Sequence, residues 1–179
     1  MTKIEAIQEI NGAQIAQLRA FEDERGRFME TFRKEWFPQR SWEKVQCNRS
    51  ESKAGVLRGL HYHHHQIDYW HVTKGRLRAA LVDIRRDSPT YLNSFVVEMG
   101  KRNEIGLYIP VGVAHGFFAI TDVMLIYTVD NYFNGGLDER GVAWNDPAFK
   151  LDWGTDSPIL SERDKNNRLL GNIPEKELP

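Results

Sequence analysis

The chain has 179 residues, with 24 Lys and Arg against 25 Asp and Glu, giving a formal charge of −1; 41% is hydrophobic and 27% charged. Those values suit one globular domain over residues 1–179. They exclude general disorder and argue against a surface built to neutralise nucleic-acid phosphates or anionic lipid. The single cysteine, Cys47, allows no internal disulfide, so a reducing, cytoplasmic setting is expected. The first residues, Met1 to Glu5, hold no apolar stretch, and the longest apolar run is Val123 to Tyr127, so neither a secretion signal nor a membrane span is expected.

Helical periodicity is scarce along the chain. Short apolar runs are cut by turn residues about every ten positions, the pattern of an all-β sandwich or barrel. Arg76 to Ile84 reads as a strand and Arg86 to Thr90 as a turn. Ser94 to Glu98 and Ile105 to Ile109 follow as strands, separated by the polar Gly100 to Asn103. Gly116 to Ile120 and Val123 to Val129 read as a hairpin around Thr121-Asp122, the second strand being apolar on both faces. Beyond Asn134-Gly135-Gly136 the chain looks irregular. Ser161 to Asp164 then has the composition to cap a short helix running into Leu169-Leu170, with Gly171 as its stop. The polar tail from Asn172 to Pro179 is expected to be loose.

The chemistry is concentrated in Val56 to His71, which holds five of the six histidines. On an extended strand His61, His63 and His65 would share one face. Far downstream, Ile109 to Phe117 is a Pro/Gly turn that delivers His115 into an apolar strand. The joint spacing is Gly55, His61-x-His63, Asp68 and Gly75, then Pro110-x-Gly112-x-x-His115; it resembles the two cupin motifs. That resemblance implies a double-stranded β-helix, or jelly-roll, barrel with a short helical C-terminal fringe.

A closer resemblance covers nearly the whole chain. Phe21-x-Asp23-x-Arg25-Gly26-x-Phe28-x-Glu30-x-Phe32, Gln46-x-Asn48-x-Ser50 and Leu57 to Tyr62 are similar to signatures of the dTDP-4-dehydrorhamnose 3,5-epimerases, a cupin-fold family of nucleotide-sugar metabolism. So are Val82 to Thr90, Ala114 to Phe117, Glu139-Arg140-Gly141 with Trp144, and Ser161-x-Arg163-Asp164. The resemblance implies an isomerase: cofactor-free epimerisation at C3 and/or C5 of a dTDP-4-keto-6-deoxyhexose by a homodimer. Such chemistry needs a base to remove a proton beside a ketone, donors to hold the enolate and an acid on the opposite face. His61 matches the family's base and Asp164 the carboxylate that orients it. Tyr127 matches the proton donor, and His115 stands by as a substrate or enolate contact. Arg25, Glu30, Gln46, Asn48, Arg58, Glu139 and Arg163 fall on nucleotide-binding positions, and Phe133 where the family carries an aromatic ring against the thymine.

The first motif departs from this pattern. The family commonly has glutamine where this chain has His63, and at the apparent position of Asp68 a lysine that helps hold the enolate oxygen. Aspartate donates no hydrogen bond unless protonated, so His63, His65 and His71 become the candidate donors. The same two residues restore a cupin-like metal set of His61, His63, Asp68 and His115. This gives an alternative reading as a metal-dependent cupin in which His61 is a ligand rather than a base. A related ketoisomerase or a non-catalytic sugar-nucleotide binder are the further alternatives.

Overall fold

The computed structural model describes residues 2–179. Its strands, in chain order, are β1 (Lys3–Ala6), β2 (Gln14–Gln17), β3 (Ala20–Asp23), β4 (Gly26–Met29), β5 (Gln46–Ser52), β6 (Leu57–His63) and β7 (Asp68–Lys74). They continue with β8 (Arg76–Asp83), β9 (Ser94–Gly100), β10 (Ile105–Ile109), β11 (Val113–Ala119), β12 (Val123–Val129) and β13 (Glu139–Gly141). One sheet has the order β1-β2-β10-β7-β12-β5 and the other β13-β6-β11-β8-β9. The ladders within both are antiparallel. From β5 to β13 consecutive strands alternate between the two sheets except at the β8–β9 pair, which is the expected jelly roll.

Continuous apolar runs occur because the sheets are covered on both faces. In β8, Leu77, Ala79 and Leu81 point between the sheets, while Ala80 and Val82 point outward into a second cluster with Tyr62, Phe149 and Trp153. In β10, Ile105, Leu107 and Ile109 face the inter-sheet core, and Tyr108 packs outside with Phe37 and Tyr69. Period-2 alternation is present in the geometry but invisible in hydropathy, since both destinations are apolar. Closure is tightest where β6 meets β11. A Cβ on Gly59 would lie 2.7 Å from the His115 carbonyl oxygen, and one on Gly116 would lie 2.6 Å from that of Arg58. Only glycine allows that approach, and it sets the register at which His61 faces His115.

Four local expectations are corrected. β11 and β12 do not form a hairpin: β11 pairs with β6 and β8, and β12 with β5 and β7. The Thr121-Asp122 turn is drawn onto neighbouring segments instead. Ile120 and Thr121 N–H both donate to the Arg76 carbonyl, and Asp122 accepts from Ala54 N–H, so the chain turns a corner into the opposite sheet. The Ser161 cap forms, accepting from Asp164 N–H, but the helix α1 covers only Glu162–Lys165. It stops because Asn166 turns its amide back to the Glu162 carbonyl and Asp146 captures Leu170 N–H at 2.6 Å. The C-terminal tail is docked rather than loose: Ile173 is buried, Leu178 packs on the outer cluster, and Tyr62 donates to the Glu177 carbonyl. Finally, His65 lies beyond the end of β6 and so does not share a strand face with His61 and His63.

Candidate active site

The two sheets splay apart at one end to leave a cleft of about 450 Å³, within the range of small-molecule sites. His61 enters from β6 and His115 from β11, while Tyr127 enters from β12 on the facing sheet. Base and acid candidates therefore stand on opposite walls. Gln46 and Asn48 on β5, Arg58 on β6, Glu139 on β13 and Phe133 also line the cleft. Phe133 is 74% exposed at the mouth, with its N–H donating to the Gln46 side chain at 2.9 Å. Gln46 in turn donates to Asn48, and Arg58 is held by Ser52 Oγ and the Glu51 carbonyl.

His61 Nε2 lies 2.7 Å from Asp164 Oδ1, and the carboxylate is 4% exposed. α1 exists to place this group: Ser161 caps it and its first turn brings Asp164 behind β6 rather than into the cleft. Burial pushes the Asp164 carboxyl up, but its hydrogen bond and charge attraction to His61, with Gly59 N–H and Ser161 adding, outweigh burial and leave it below the usual range. Nε2 is thus committed, leaving Nδ1 as the ring nitrogen available to take a proton. Burial, reinforced by the charges of Asp68 and Glu139, raises the Tyr127 phenol above its ordinary value, so it is protonated at neutral pH. Burial, with His63 and His61 adding, pushes His115 down to about 4 despite Asp68; it is a neutral imidazole with Nδ1 bonded to the Val113 carbonyl.

Arg163 pairs with Glu139 at the rim. Arg25 and Glu30 are not brought to this cleft. Arg25 is exposed and paired with Asp23, Glu30 with Arg33. Both belong to the segment around the β3–β4 hairpin, which pairs with no other strand. Among the candidate donors, His71 is buried on β7 outside the cleft lining, where burial lowers its pKa, and His65 sits outside it too. His63 alone of the three lines the cleft.

The four-residue metal set also divides. His63, Asp68 and His115 offer ligand atoms all within 4.8 Å of one another, whereas His61 is turned to Asp164 and stands outside the group. The candidate base and the candidate ligands are therefore different residues here. Two supporting groups escaped sequence reasoning. Asp138 accepts the N–H groups of His64, His65 and Gln66, and Trp70 donates to Asp68. Asp138 had a signal only in standing beside Glu139, and Trp70 carried none.

A jelly-roll barrel with a buried imidazole–carboxylate pair facing a phenol across a ligand-sized cleft defines a cupin-type enzyme of acid–base chemistry. The family model of dTDP-4-dehydrorhamnose 3,5-epimerase matches residues 7–172. A relative of that name from Shigella flexneri is 36% identical over 170 residues, 89% of this chain and 92% of the relative. A solved dTDP-6-deoxy-D-glucose-3,5-epimerase from Legionella pneumophila, in complex with dTDP-4-keto-L-rhamnose, superposes with a TM-score of 0.91 at 31% identity, covering 100% of this chain and 98% of that one. A 3'-monoepimerase from Streptomyces bikiniensis in complex with dTDP gives 0.89 at 29% identity over 98% and 92%. The chain belongs to the dTDP-4-dehydrorhamnose 3,5-epimerase family.

Proposed function

We propose that this protein epimerises a dTDP-4-keto-6-deoxyhexose at C3 and/or C5. The observation that carries this reading is the placement of His61 and Tyr127 on opposite sheets across one cleft. His61 takes the proton from the carbon beside the ketone; the C–H electron pair forms the enolate double bond, and the carbonyl π pair moves to oxygen. Tyr127 then returns a proton from the other face, inverting the centre. Asp164 stabilises the imidazolium and holds the ring, a positioning role. Arg58 and the Gln46–Asn48 pair suit the diphosphate and base of the nucleotide, and Phe133 presents a ring face for the thymine.

The remaining nucleotide contacts come from a second copy. The β3–β4 hairpin exposes Phe21 at 51% and Phe28 at 66% while bonding to no other strand, and an isolated two-stranded ribbon is marginal in water. Docked on a partner, it would bury those rings and carry Arg25 and Glu30 to the partner's cleft, in keeping with a homodimer. No helix among the described residues is long and apolar enough to cross a membrane; with Cys47 as the sole cysteine, a cytoplasmic setting suits the protein.

The test is incubation with the 4-keto sugar nucleotide in D₂O, following deuterium at C3 and C5. Incorporation at one or both carbons is expected, and none at either refutes the reading. Replacing Phe21 and Phe28 by Ser should convert dimer to monomer in sedimentation; an unchanged dimer would exclude the hairpin from the interface.

A further inference from the structure

We propose that His63, Asp68 and His115 form a binding site for a divalent transition-metal cation inside the cleft, distinct from the His61–Asp164 pair. All three are at least nine-tenths buried, with 7%, 5% and 5% exposure. His63 Nε2 lies 3.8 Å from Asp68 Oδ1, and His115 Nε2 lies 3.9 Å from Asp68 Oδ2. Those gaps are too long for hydrogen bonds. Two atoms bonded at about 2.1 Å to one metal at a tetrahedral angle stand about 3.4 Å apart, so small side-chain movements would close the site on an ion.

The surroundings orient these groups as ligands. His115 Nδ1 donates to the Val113 carbonyl, which leaves its Nε2 lone pair directed at the cluster. His63 Nδ1 faces Asp138 at 3.6 Å without a hydrogen-bond partner, and the ring turns its Nε2 to Asp68. Asp138 is itself fixed by three backbone N–H groups. The Asp68 carboxylate is gripped by Gln66 Nε2 and Trp70 Nε1, both at 3.0 Å. His115 and Asp68 thus each have an outer hydrogen-bond partner that fixes their direction, as metal ligands commonly do, and Asp138 stands behind His63. A carboxylate from β7 and two imidazoles from β6 and β11 of the facing sheet suit Fe²⁺, Mn²⁺, Co²⁺, Ni²⁺ or Zn²⁺ and leave coordination positions open towards the cleft.

The site's role rests on the epimerase reading. Asp68 cannot donate a hydrogen bond to an enolate oxygen, and a cation held beside it can accept that oxygen as a Lewis acid instead. His61 would remain the base, because its bonded nitrogen belongs to Asp164 rather than to the cluster.

The experiment titrates metal-stripped protein with Co²⁺, reading calorimetry and the visible ligand-field bands. One equivalent should bind with the bands of nitrogen–oxygen coordination. Affinity should fall at least about 100-fold in His63→Gln and in Asp68→Asn, with His115→Gln as the substitute should either variant fail to fold. His61→Asn, which lies outside the set, should bind as the parent does. No binding below millimolar Co²⁺, or equal binding by His63→Gln and Asp68→Asn, would overturn the site. Deuterium exchange is then compared with and without Co²⁺. Exchange that is fast without metal and unaffected by it refutes the Lewis-acid role. Binding without exchange under either condition overturns the epimerase reading together with that role, and leaves the metal site standing.

Discussion

Asp164→Asn isolates the charge behind His61 without removing bulk. The two groups are 2.7 Å apart at their nearest atoms, with side-chain exposures of 21% and 5%, so solvent screens them little. Taking the charge centres about 4.5 Å apart at an effective dielectric constant of about 20 gives an attraction of roughly 4 kcal/mol between imidazolium and carboxylate. That attraction is realised only once His61 has accepted the substrate proton, so it lowers the barrier rather than tightening the ground state. The amide keeps a hydrogen bond but no charge. Losing about 3 to 4 kcal/mol slows proton abstraction by about 10² to 10³. The assay is the initial rate of deuterium entry at C3 and C5, together with kcat and KM. KM should hold, because Asp164 stands behind the histidine and does not line the cleft. The α1 cap uses the backbone N–H of residue 164 and survives the change, so the unfolding midpoint should fall by only a few degrees. Exchange within threefold of the parent in a folded variant would refute the positioning role.

Tyr127→Phe removes the proposed proton donor and should lower turnover by about 10² to 10³ while leaving deuterium wash-in at the first abstracted position less affected; full turnover would exclude it as the acid. Gly59→Ala sets a Cβ 2.7 Å from the His115 carbonyl at φ +118°, so overpacking of about 1–3 kcal/mol is expected, roughly 2–12 °C in Tm for this length, with loss of activity because His61 shifts with the strand. Asp83 is fully buried; burial raises its carboxyl, but donors from Arg85, Ser88 and Thr90 outweigh that and hold it below 3.8. A depressed carboxyl contributes stability above its unfolded pKa and loses it as pH falls through the folded value. Calorimetry should therefore find Asp83→Asn destabilised by about 3 kcal/mol at pH 7, with the gap to the parent closing below pH 3.8; a gap independent of pH would contradict this.

Strand existence was legible because turn residues punctuate the chain, and β10 at Ile105–Ile109 fell on its expected bounds. Partnership was not. Gly116–Ile120 and Val123–Val129 look like a hairpin by sequence distance, yet the interactions that direct β12 across the barrel come from Arg76 and Ala54, remote in sequence. The docked tail hid for a similar reason: the groove that receives Ile173 and Leu178 is built from β6, β8 and the Trp144–Trp153 segment, so its burial depends on surfaces that local polarity cannot report. At the candidate site, the family motifs carried the cleft-lining positions, whereas Arg25 and Glu30, matched by the same motifs, are not brought by one chain to its own cleft.

The two departures from the family pattern are coupled in space. His63 and Asp68 flank a short connection between β6 and β7, and their side chains converge on His115. Asp68 adds a carboxylate to a wall that also holds Asp138 and Glu139, and of the three only Glu139 is paired with a Lys or Arg side chain, that of Arg163. Replacing glutamine by His63 places an imidazole between all three carboxylates, at 3.8 Å from Asp68, 3.6 Å from Asp138 and 4.0 Å from Glu139. Neither substitution accounts for the other through direct hydrogen bonding, because the gaps are too wide. A cation between them would account for both: it would neutralise the carboxylate and supply positive charge where the family pattern has a lysine. The same ion explains why His63 and His115 present the same ring nitrogen to Asp68. Double-mutant analysis follows directly. Asp68→Lys should remove metal dependence, and His63→Gln in that background should then cost little in exchange rate; a large additional loss would show that His63 acts on the substrate independently of any ion.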